Sequence, residues 1–293
     1  MVVGLIAIGM IMRRSPLFSD NTADVLNSFV LYVSLPAIIL VSISKLELSS
    51  DILYPVLMHW SLYLINILLV IILSKLFKFS FSVMGCLLVV SCLGNTAFLG
   101  IPMVEGFFGE NAVAFAVLYD QLGSGLAFIF TMAFILPKFK SEKNAHLKET
   151  LINLFKFPPF LALILGFVCI KWPLHTNIEF LATRVSETLV PCAMIAVGYQ
   201  LNFRMELTKI LPVLVGLFSK LLIMPVVALL IYKALELNIL PMKVSVIQSG
   251  MPPMVTAGAL AMSYNLERDI AAALVGFGLL ISFLTLPVLK LVL

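Results

Sequence analysis

Long apolar stretches separated by short polar segments run along the whole chain. Most of them approach the roughly 20 residues that a helix needs to cross the hydrocarbon core of a bilayer. The pattern therefore predicts ten membrane-spanning helices. Their approximate bounds are residues 1–13, 22–44, 52–75, 80–104, 110–137, 151–171, 178–201, 207–233, 238–263 and 268–291.

Composition agrees with a polytopic all-α membrane protein. The 293 residues are 61% hydrophobic and 12% charged, whereas soluble domains carry about 25% charged residues. The mean hydropathy is +1.12. The net charge of +4 is small and lies in the connecting segments, so it indicates no nucleic-acid partner. The expected surroundings are a lipid bilayer.

Two of the apolar stretches are interrupted at about mid-bilayer depth. Ser91–Pro102 brings glycine, asparagine, threonine and proline into one stretch, and Gln248–Met254 brings two consecutive prolines into another. Lipid cannot satisfy the N–H and C=O groups of a broken backbone, so each break has to face protein or a wet cavity. Paired interrupted helices are typical of the binding site of a secondary transporter.

The chain also repeats itself. Four landmarks of the first half recur about 155 to 158 residues later. They are Arg14–Leu17 with Lys171–Leu174, Ser34–Ile39 with Leu189–Met194, Gly94 with Gly250, and Asn111–Ala116 with Asp269–Leu274. Five spans per half is an odd number, so the second half enters the membrane from the opposite side. We predict a first repeat over residues 1–137, a cytoplasmic linker over 138–149, and an inverted second repeat over 150–293.

Basic residues predict an orientation, because cytoplasmic loops are enriched in lysine and arginine. Odd-numbered loops hold eleven: Arg13, Arg14, Lys75, Lys78, Lys138, Lys140, Lys143, Lys148, Arg204, Lys209 and Arg268. Even-numbered loops hold three: Lys45, Lys171 and Lys233. The odd loops are therefore predicted to be cytoplasmic, with both termini outside.

Polar groups at the two breaks are the predicted substrate site. Amide and hydroxyl groups there can donate to an anion, and the half-helix after each break presents a partially positive N-terminus. The predicted binding residues are Gly94, Asn95, Thr96, Gln248, Ser249 and Gly250. The predicted helix-breaking prolines are Pro102, Pro252 and Pro253. The alternative is that each break is only a kink packed against neighbouring helices.

Asp120, Gln121 and Lys220 form a second set of polar residues inside predicted spans. A carboxylate within the membrane either carries a proton or is neutralised by a cation such as Lys220. The first reading assigns Asp120 and Gln121 to a coupling proton, and the second assigns them to structural support of the breaks. The sequence leaves both open.

Motifs for other chemistry are not found in the sequence. His59, His146 and His175 are scattered without metal-ligand spacing, and there is no P-loop, HExxH or GxSxG pattern. We therefore predict neither an enzyme nor an ATP-driven pump, and no metal or other cofactor.

Three segments carry a resemblance to a known family: Arg13–Pro16, Gly94–Pro102 and Leu118–Gln121. With them, the chain resembles a bacterial member of the auxin efflux carrier family, which includes plant carriers and bacterial malonate or malate permeases. The resemblance covers nearly the whole chain. It implies ten spans in two inverted five-helix repeats, with crossed broken helices 4 and 9 as in bile-acid symporters and sodium–proton antiporters.

The resemblance also implies small organic anions as substrates. Asn95 matches the asparagine with which plant members approach the substrate carboxylate. The long central loop of those members is lacking here, so neither regulation through it nor auxin itself carries over. Family members pair, so a homodimer is an expected assembly, although no GxxxG face indicates a contact.

These observations predict a secondary active transporter of a small mono- or dicarboxylate, such as malonate or malate, with an auxin-like carboxylate as a further candidate. Its expected location is the bacterial inner membrane, and its expected coupling ion is a proton or sodium. The alternative is a cation/proton antiporter on a related fold, which requires carboxylates at the breaks. A membrane sensor or channel is a third class, for which the sequence shows neither a signalling domain nor a continuous polar face.

Overall fold

The computed structural model describes residues 2–139, 155–200 and 209–293, and the regular elements in these ranges are helices. The predicted linker 138–149 lies almost wholly outside the described residues. So do four basic residues of the orientation argument, namely Lys140, Lys143, Lys148 and Arg204.

Most helices begin and end within a few residues of the predicted spans, but the fourth and ninth predicted spans are two helices each, and the helix in the sixth begins at Pro158 instead of residue 151. They are α1 Val2–Arg14, α2 Thr22–Ser44, α3 Ser50–Leu76, α4 Phe81–Val90, α5 Thr96–Phe108, α6 Glu110–Phe139, α7 Pro158–Lys171, α8 Thr176–Gln200, α9 Ile210–Ala234, α10 Leu240–Ser249, α11 Val255–Ser263 and α12 Arg268–Val292. Six of the described helices are long and apolar enough to cross a membrane: α2, α3, α6, α8, α9 and α12. The chain is thus a multi-pass membrane protein, and the ten-span inverted repeat stays a prediction.

Two compact units divide the described chain. The first unit comprises residues 2–49, 97–117 and 155–200, and the second comprises 50–96, 118–139 and 209–293. Each unit combines segments from both sides of the predicted linker.

Close helix contact between α1 and α8 characterises the first unit. A Cβ atom added to Gly9 would collide with the carbonyl oxygen of Ile195, and one added to Gly198 would collide with that of Ile6. Glycine at both positions therefore lets the two backbones touch, as small residues do between membrane helices. The same unit joins α2 to α8 by a hydrogen bond of 2.7 Å between the hydroxyls of Ser34 and Thr188.

Helix α4 lies in the core of the second unit. The Ser80 hydroxyl caps its start by accepting from the N–H of Val83 at 3.2 Å, an arrangement that contributes about 1 kcal/mol. Residues 85–90 of α4 are all buried, in a core shared with α3, α9, α11 and α12. A helix that is apolar on every side is stable only when surrounded, and burial of α4 holds the break that follows it in place.

Proline produces an unusual helix geometry at several positions. Within the described residues, π-helical turns occupy Val30–Ser34, Thr96–Gly100, Tyr119–Gly125, Thr131–Ile135 and Ser219–Ile223. All but Tyr119–Gly125 have a proline two residues after their end, namely Pro36, Pro102, Pro137 and Pro225. Proline cannot donate to the carbonyl four residues earlier and collides with it, and the wider turn relieves that conflict.

Pro102 thus has a different place from the one predicted. It lies inside α5, where it follows the π turn Thr96–Gly100, and it stands beyond the break that separates α4 from α5. Its effect is to widen the first turn of the half-helix that carries Thr96.

Candidate functional site

Both predicted helix interruptions are present. Helix α4 ends at Val90 and α5 begins at Thr96, while α10 ends at Ser249 and α11 begins at Val255. The connecting residues are extended or turned, and residues 91–95 and 250–253 are all buried. The prediction of two broken helices is therefore confirmed.

The two breaks bind to each other as a short antiparallel bridge. The backbone N–H of Asn95 donates to the carbonyl oxygen of Pro252 at 2.7 Å, and the N–H of Met254 donates to that of Leu93 at 3.0 Å. Gly94 and Pro253 face each other between these two bonds. Proline is compatible with this position because the ladder requires no donor there.

A polar side chain caps the carbonyl end of each first half-helix. Asn66 of α3 donates through Nδ2 to the carbonyl oxygen of Ser91 at 2.9 Å. Lys220 of α9 donates through Nζ to the carbonyl oxygen of Ser249 at 3.2 Å. Helix C-termini leave such carbonyls unpaired and carry partial negative charge, so a donor, and above all a cation, stabilises them.

Asp120 is held by neutral donors. Thr96 Oγ1 donates to its Oδ1 at 2.5 Å, and Gln121 Nε2 donates to its Oδ2 at 2.7 Å. Thr96 Oγ1 also lies 2.8 Å from the Ser124 hydroxyl. Within the described residues Asp120 and Lys220 form no ion pair. The pairing of Asp120 with Lys220 considered from the sequence is therefore not observed.

The π turn Tyr119–Gly125, which carries Asp120 and Gln121, is the one without a following proline. Trp60 of α3 donates through Nε1 to the carbonyl oxygen of Leu122 at 3.0 Å. A side chain from another helix thus satisfies a carbonyl of the widened turn. Such turns are frequent at functional sites.

The predicted substrate residues differ in how their donors are used. Ser249 donates its hydroxyl to the Val246 carbonyl at 2.6 Å, and Thr96 donates to Asp120. Gln248 donates through Nε2 to the Thr96 carbonyl at 3.2 Å. The Asn95 side chain is 4% exposed, and its amide makes no hydrogen bond to the described residues. Among the predicted substrate residues with a polar side chain, Asn95 is thus the one whose side-chain donors are not used by the described residues.

Two polar residues of α3 were missed from the sequence. His59 is 5% exposed and Asn66 is 1% exposed, and His59 Nε2 and Asn66 Oδ1 have no hydrogen-bond partner among the described residues. The signal was available, because polar groups within an apolar span are functional candidates by default. Their spacing of seven residues also places them on one helix face.

A small cavity lies behind the first break. Its volume of about 10 Å³ is close to what one water molecule needs. The polar or ionisable residues of its wall come from α3, α6, α9, α10 and the first break: His59, Tyr63, Asn66, Cys92, Tyr119, Lys220 and Ser249. The cavity thus brings the two capping side chains, Asn66 and Lys220, to one space.

Comparison with known proteins gives one family and two relatives over nearly the whole chain. A family model described as a membrane transport protein matches residues 1–290. An uncharacterized transporter of Methanocaldococcus jannaschii is 26% identical over 281 residues, which cover 93% of this chain and 90% of the relative. An uncharacterized transporter of Methanothermobacter thermautotrophicus is 27% identical over 297 residues, which cover 100% of this chain and 96% of the relative.

Proposed function

We propose that this chain is a secondary active transporter of a small carboxylate. The premise of the proposal is that the chain belongs to the membrane transport protein family, which is the family of the auxin efflux carriers. The family and both relatives are transporters, not enzymes. The proposed substrate is a mono- or dicarboxylate such as malonate or malate. The proposed location is the bacterial inner membrane, with both termini outside.

The observation that carries the proposal is the bridge between the two breaks. It holds the unbonded Asn95 amide beside Gly94 at the point where α5 begins and the second break crosses. The Asn95 side chain is 4% exposed, so its donors can reach a ligand and are not used by the described residues. A hydrogen bond from Asn95 to a carboxylate would contribute about 1.5–3 kcal/mol.

Backbone donors add to the proposed anion site. Met254, the residue that precedes α11, makes no side-chain cap, so the first N–H groups of α11 have no such acceptor. The partial positive charge of a helix N-terminus favours a bound carboxylate. Asn95, Thr96, Gln248, Ser249 and the backbone at Gly94 and Gly250 form the proposed site, and Pro252 and Pro253 keep the second break extended.

The network around Asp120 links anion binding to a proton. The Thr96 hydroxyl donates its hydrogen bond to Asp120 while that carboxylate is ionised. When Asp120 is protonated it donates to Thr96 Oγ1 instead, and the Thr96 proton becomes available to a bound substrate. A second negative charge beside Asp120 also favours its protonation. Asp120, supported by Gln121, is thus the proposed carrier of a coupling proton, and sodium is the competing coupling ion.

Uptake of labelled malonate and malate into proteoliposomes tests the site. Asn95→Ala removes the proposed donor, and a hydrogen bond to a charged group contributes about 1.5–3 kcal/mol, so transport should fall about tenfold or more. The control is Asn111→Ala, the same change at an exposed position. Wild-type transport rates in Asn95→Ala would refute the anion site.

The same vesicles distinguish the antiporter alternative. A cation/proton antiporter would move protons in response to a sodium gradient with no organic anion present. In the described hydrogen-bond network around the breaks Asp120 is the one carboxylate, whereas the antiporter needs carboxylates to bind its cation. Sodium-driven proton flux without malonate or malate would favour the antiporter.

A further inference from the structure

We propose that His59 is a proton-relay residue that connects Asp120, through Ser124 and Thr96, with a single water molecule in the cavity beside Lys220. This inference rests on the proposed function, because it names the route by which the coupling proton reaches Asp120. It assigns a role to His59, which was not selected from the sequence because the histidines show no metal-ligand spacing.

The relay is a continuous row of side chains. Asp120 Oδ1 lies 2.5 Å from Thr96 Oγ1, which lies 2.8 Å from Ser124 Oγ. Ser124 Oγ lies 3.4 Å from His59 Nδ1, the longest link of the row. The other ring nitrogen, Nε2, makes no hydrogen bond within the described residues, and His59 lines the cavity. Each member is nine-tenths or more buried.

The cavity suits one water molecule. Its volume is about 10 Å³, and a buried water needs two to four polar partners. His59 Nε2 and Asn66 Oδ1 are acceptors without partners, and the Lys220 ammonium is a donor in the same wall. A water that donates to both acceptors and accepts from Lys220 satisfies the two orphaned atoms.

Tight packing fixes the histidine ring. A Cβ atom on Gly123 would lie 2.5 Å from His59 Cγ, so the glycine of the π turn lets the ring approach α6. The Tyr119 ring contacts His59 edge-on with centroids 4.9 Å apart, and the Tyr63 ring stacks at 6.1 Å. The ionisable groups that face His59 are Tyr63 of its own helix, Tyr119 of α6, Lys220 of α9 and Cys92 of the first break.

The proton balance closes without any charged histidine. At the start Asp120 is ionised and His59 carries its proton on Nδ1. Four transfers then occur together: the cavity water gives a proton to Nε2, Nδ1 gives one to Ser124, Ser124 gives one to Thr96, and Thr96 gives one to Asp120. Asp120 ends protonated, His59 ends as the other neutral tautomer, and the water regains a proton from the transport pathway.

Transport assays separate the relay from the anion site. His59→Gln should lower accumulation of labelled malonate driven by a pH gradient about tenfold or more, since positioned proton transfer contributes about 10²–10⁴-fold. In malonate counterflow, loaded carriers exchange substrate without net proton movement, so the relay is not needed. Counterflow by His59→Gln should therefore stay within about twofold of wild type. Ser124→Ala cuts the next link and should reproduce this split. His175→Gln, the same change at an exposed position, is the control.

A spectroscopic test needs no substrate. Nitrogen NMR of histidine-labelled protein in bilayers, with the His59 signal assigned by its loss in His59→Gln, reports which ring nitrogen carries the proton. The expected result is a neutral ring whose proton moves from Nδ1 to Nε2 as the buffer is acidified, and Ser124→Ala should abolish the change.

The outcomes are distinct. A His59 ring that becomes cationic, or keeps one tautomer throughout, overturns the relay, as does loss of counterflow together with gradient-driven uptake in folded His59→Gln. Wild-type malonate transport that ignores the pH gradient also overturns the relay but leaves the anion site standing. If neither malonate nor malate is transported, the proposed substrate fails, and the tautomer measurement alone decides the relay.

Discussion

The ammonium of Lys220 lies 3.2 Å from the carbonyl oxygen of Ser249, at the C-terminal end of α10. The contact places a cation where the helix dipole is negative, within a protein region where Lys220 is only 6% exposed. Among the described residues no carboxylate pairs with Lys220. Its charge is therefore stabilised by a backbone carbonyl in place of an acidic side chain.

Lys220→Met should affect transport and thermal stability differently. Removing a buried charge that has no acidic partner relieves its desolvation cost, so the melting temperature in detergent should stay equal or rise. The Ser249 carbonyl also loses its donor, and the relieved desolvation of the charge offsets this loss in stability. The break nevertheless loses the cation that fixes it, so malonate transport should fall about tenfold or more. Lys233→Met, at the exposed end of the same helix, is the matched control. A lower melting temperature with intact transport would contradict this account.

Asn66→Leu should have the opposite effect on stability. The substitution leaves the Ser91 carbonyl without its side-chain donor, and an unsatisfied buried acceptor costs about 1–3 kcal/mol. Thermal unfolding followed by fluorescence should show a lower midpoint. Ser61→Leu, at an exposed position of α3, should leave the midpoint near that of wild type. An unchanged midpoint for Asn66→Leu would show that the Ser91 carbonyl does not need this cap.

Gly94→Ala and Gly250→Ala, one substitution in each break, should lower malonate uptake to different extents. A Cβ atom at Gly94 would lie 3.1 Å from Lys220 Nζ, whereas at Gly250 it would lie 3.2 Å from a methyl group of Leu289. Both neighbours are ends of flexible side chains, so both variants should fold. Gly94→Ala displaces the ammonium from Ser249 and should reduce malonate uptake more than Gly250→Ala does. Equal uptake by the two variants would argue that the position of Lys220 is irrelevant.

Trp60→Phe should loosen the π turn that carries Asp120. The change removes the donor to the Leu122 carbonyl, and the lost bond should cost about 0.5–1.5 kcal/mol. Hydrogen exchange measured by mass spectrometry should increase over residues 119–125. The control is Trp172→Phe, since Trp172 is exposed. Unaltered exchange in Trp60→Phe would mean that the wide turn is stable without this bond.

Hydropathy located the helices well because apolar length is a direct requirement of the membrane. It located the breaks equally well, since Gly94 and the Pro252–Pro253 pair interrupt otherwise apolar helices. It could not reveal that Asn95 and Met254 bond across the breaks, because pairing between segments some 160 residues apart depends on tertiary packing. The arrangement of repeats in the membrane remains a prediction.

The site was predicted only in part. Asn95, Thr96 and Asp120 were selected correctly as buried polar groups, but for Asp120 the sequence left open whether it carries a proton or pairs with a cation such as Lys220. In the structure Asp120 accepts a hydrogen bond from Thr96, and Lys220 donates to the backbone carbonyl of Ser249. Sequence supplies the residue types, whereas the choice of partner depends on helix rotation. The π turns change that rotation in ways that residue spacing does not show.

Each π turn also has a consequence for comparing this chain with its relatives. Such a turn holds one residue more than an α-helical turn between its bonded groups. A relative that has an ordinary helix where this chain has Ser219–Ile223 should therefore lack both the proline equivalent to Pro225 and one residue before it. An alignment without a gap at Ser219–Ile223 would match Lys220 to a residue on a different side of the helix in the relative. Single-residue gaps next to membrane prolines thus deserve to be kept when the family is aligned.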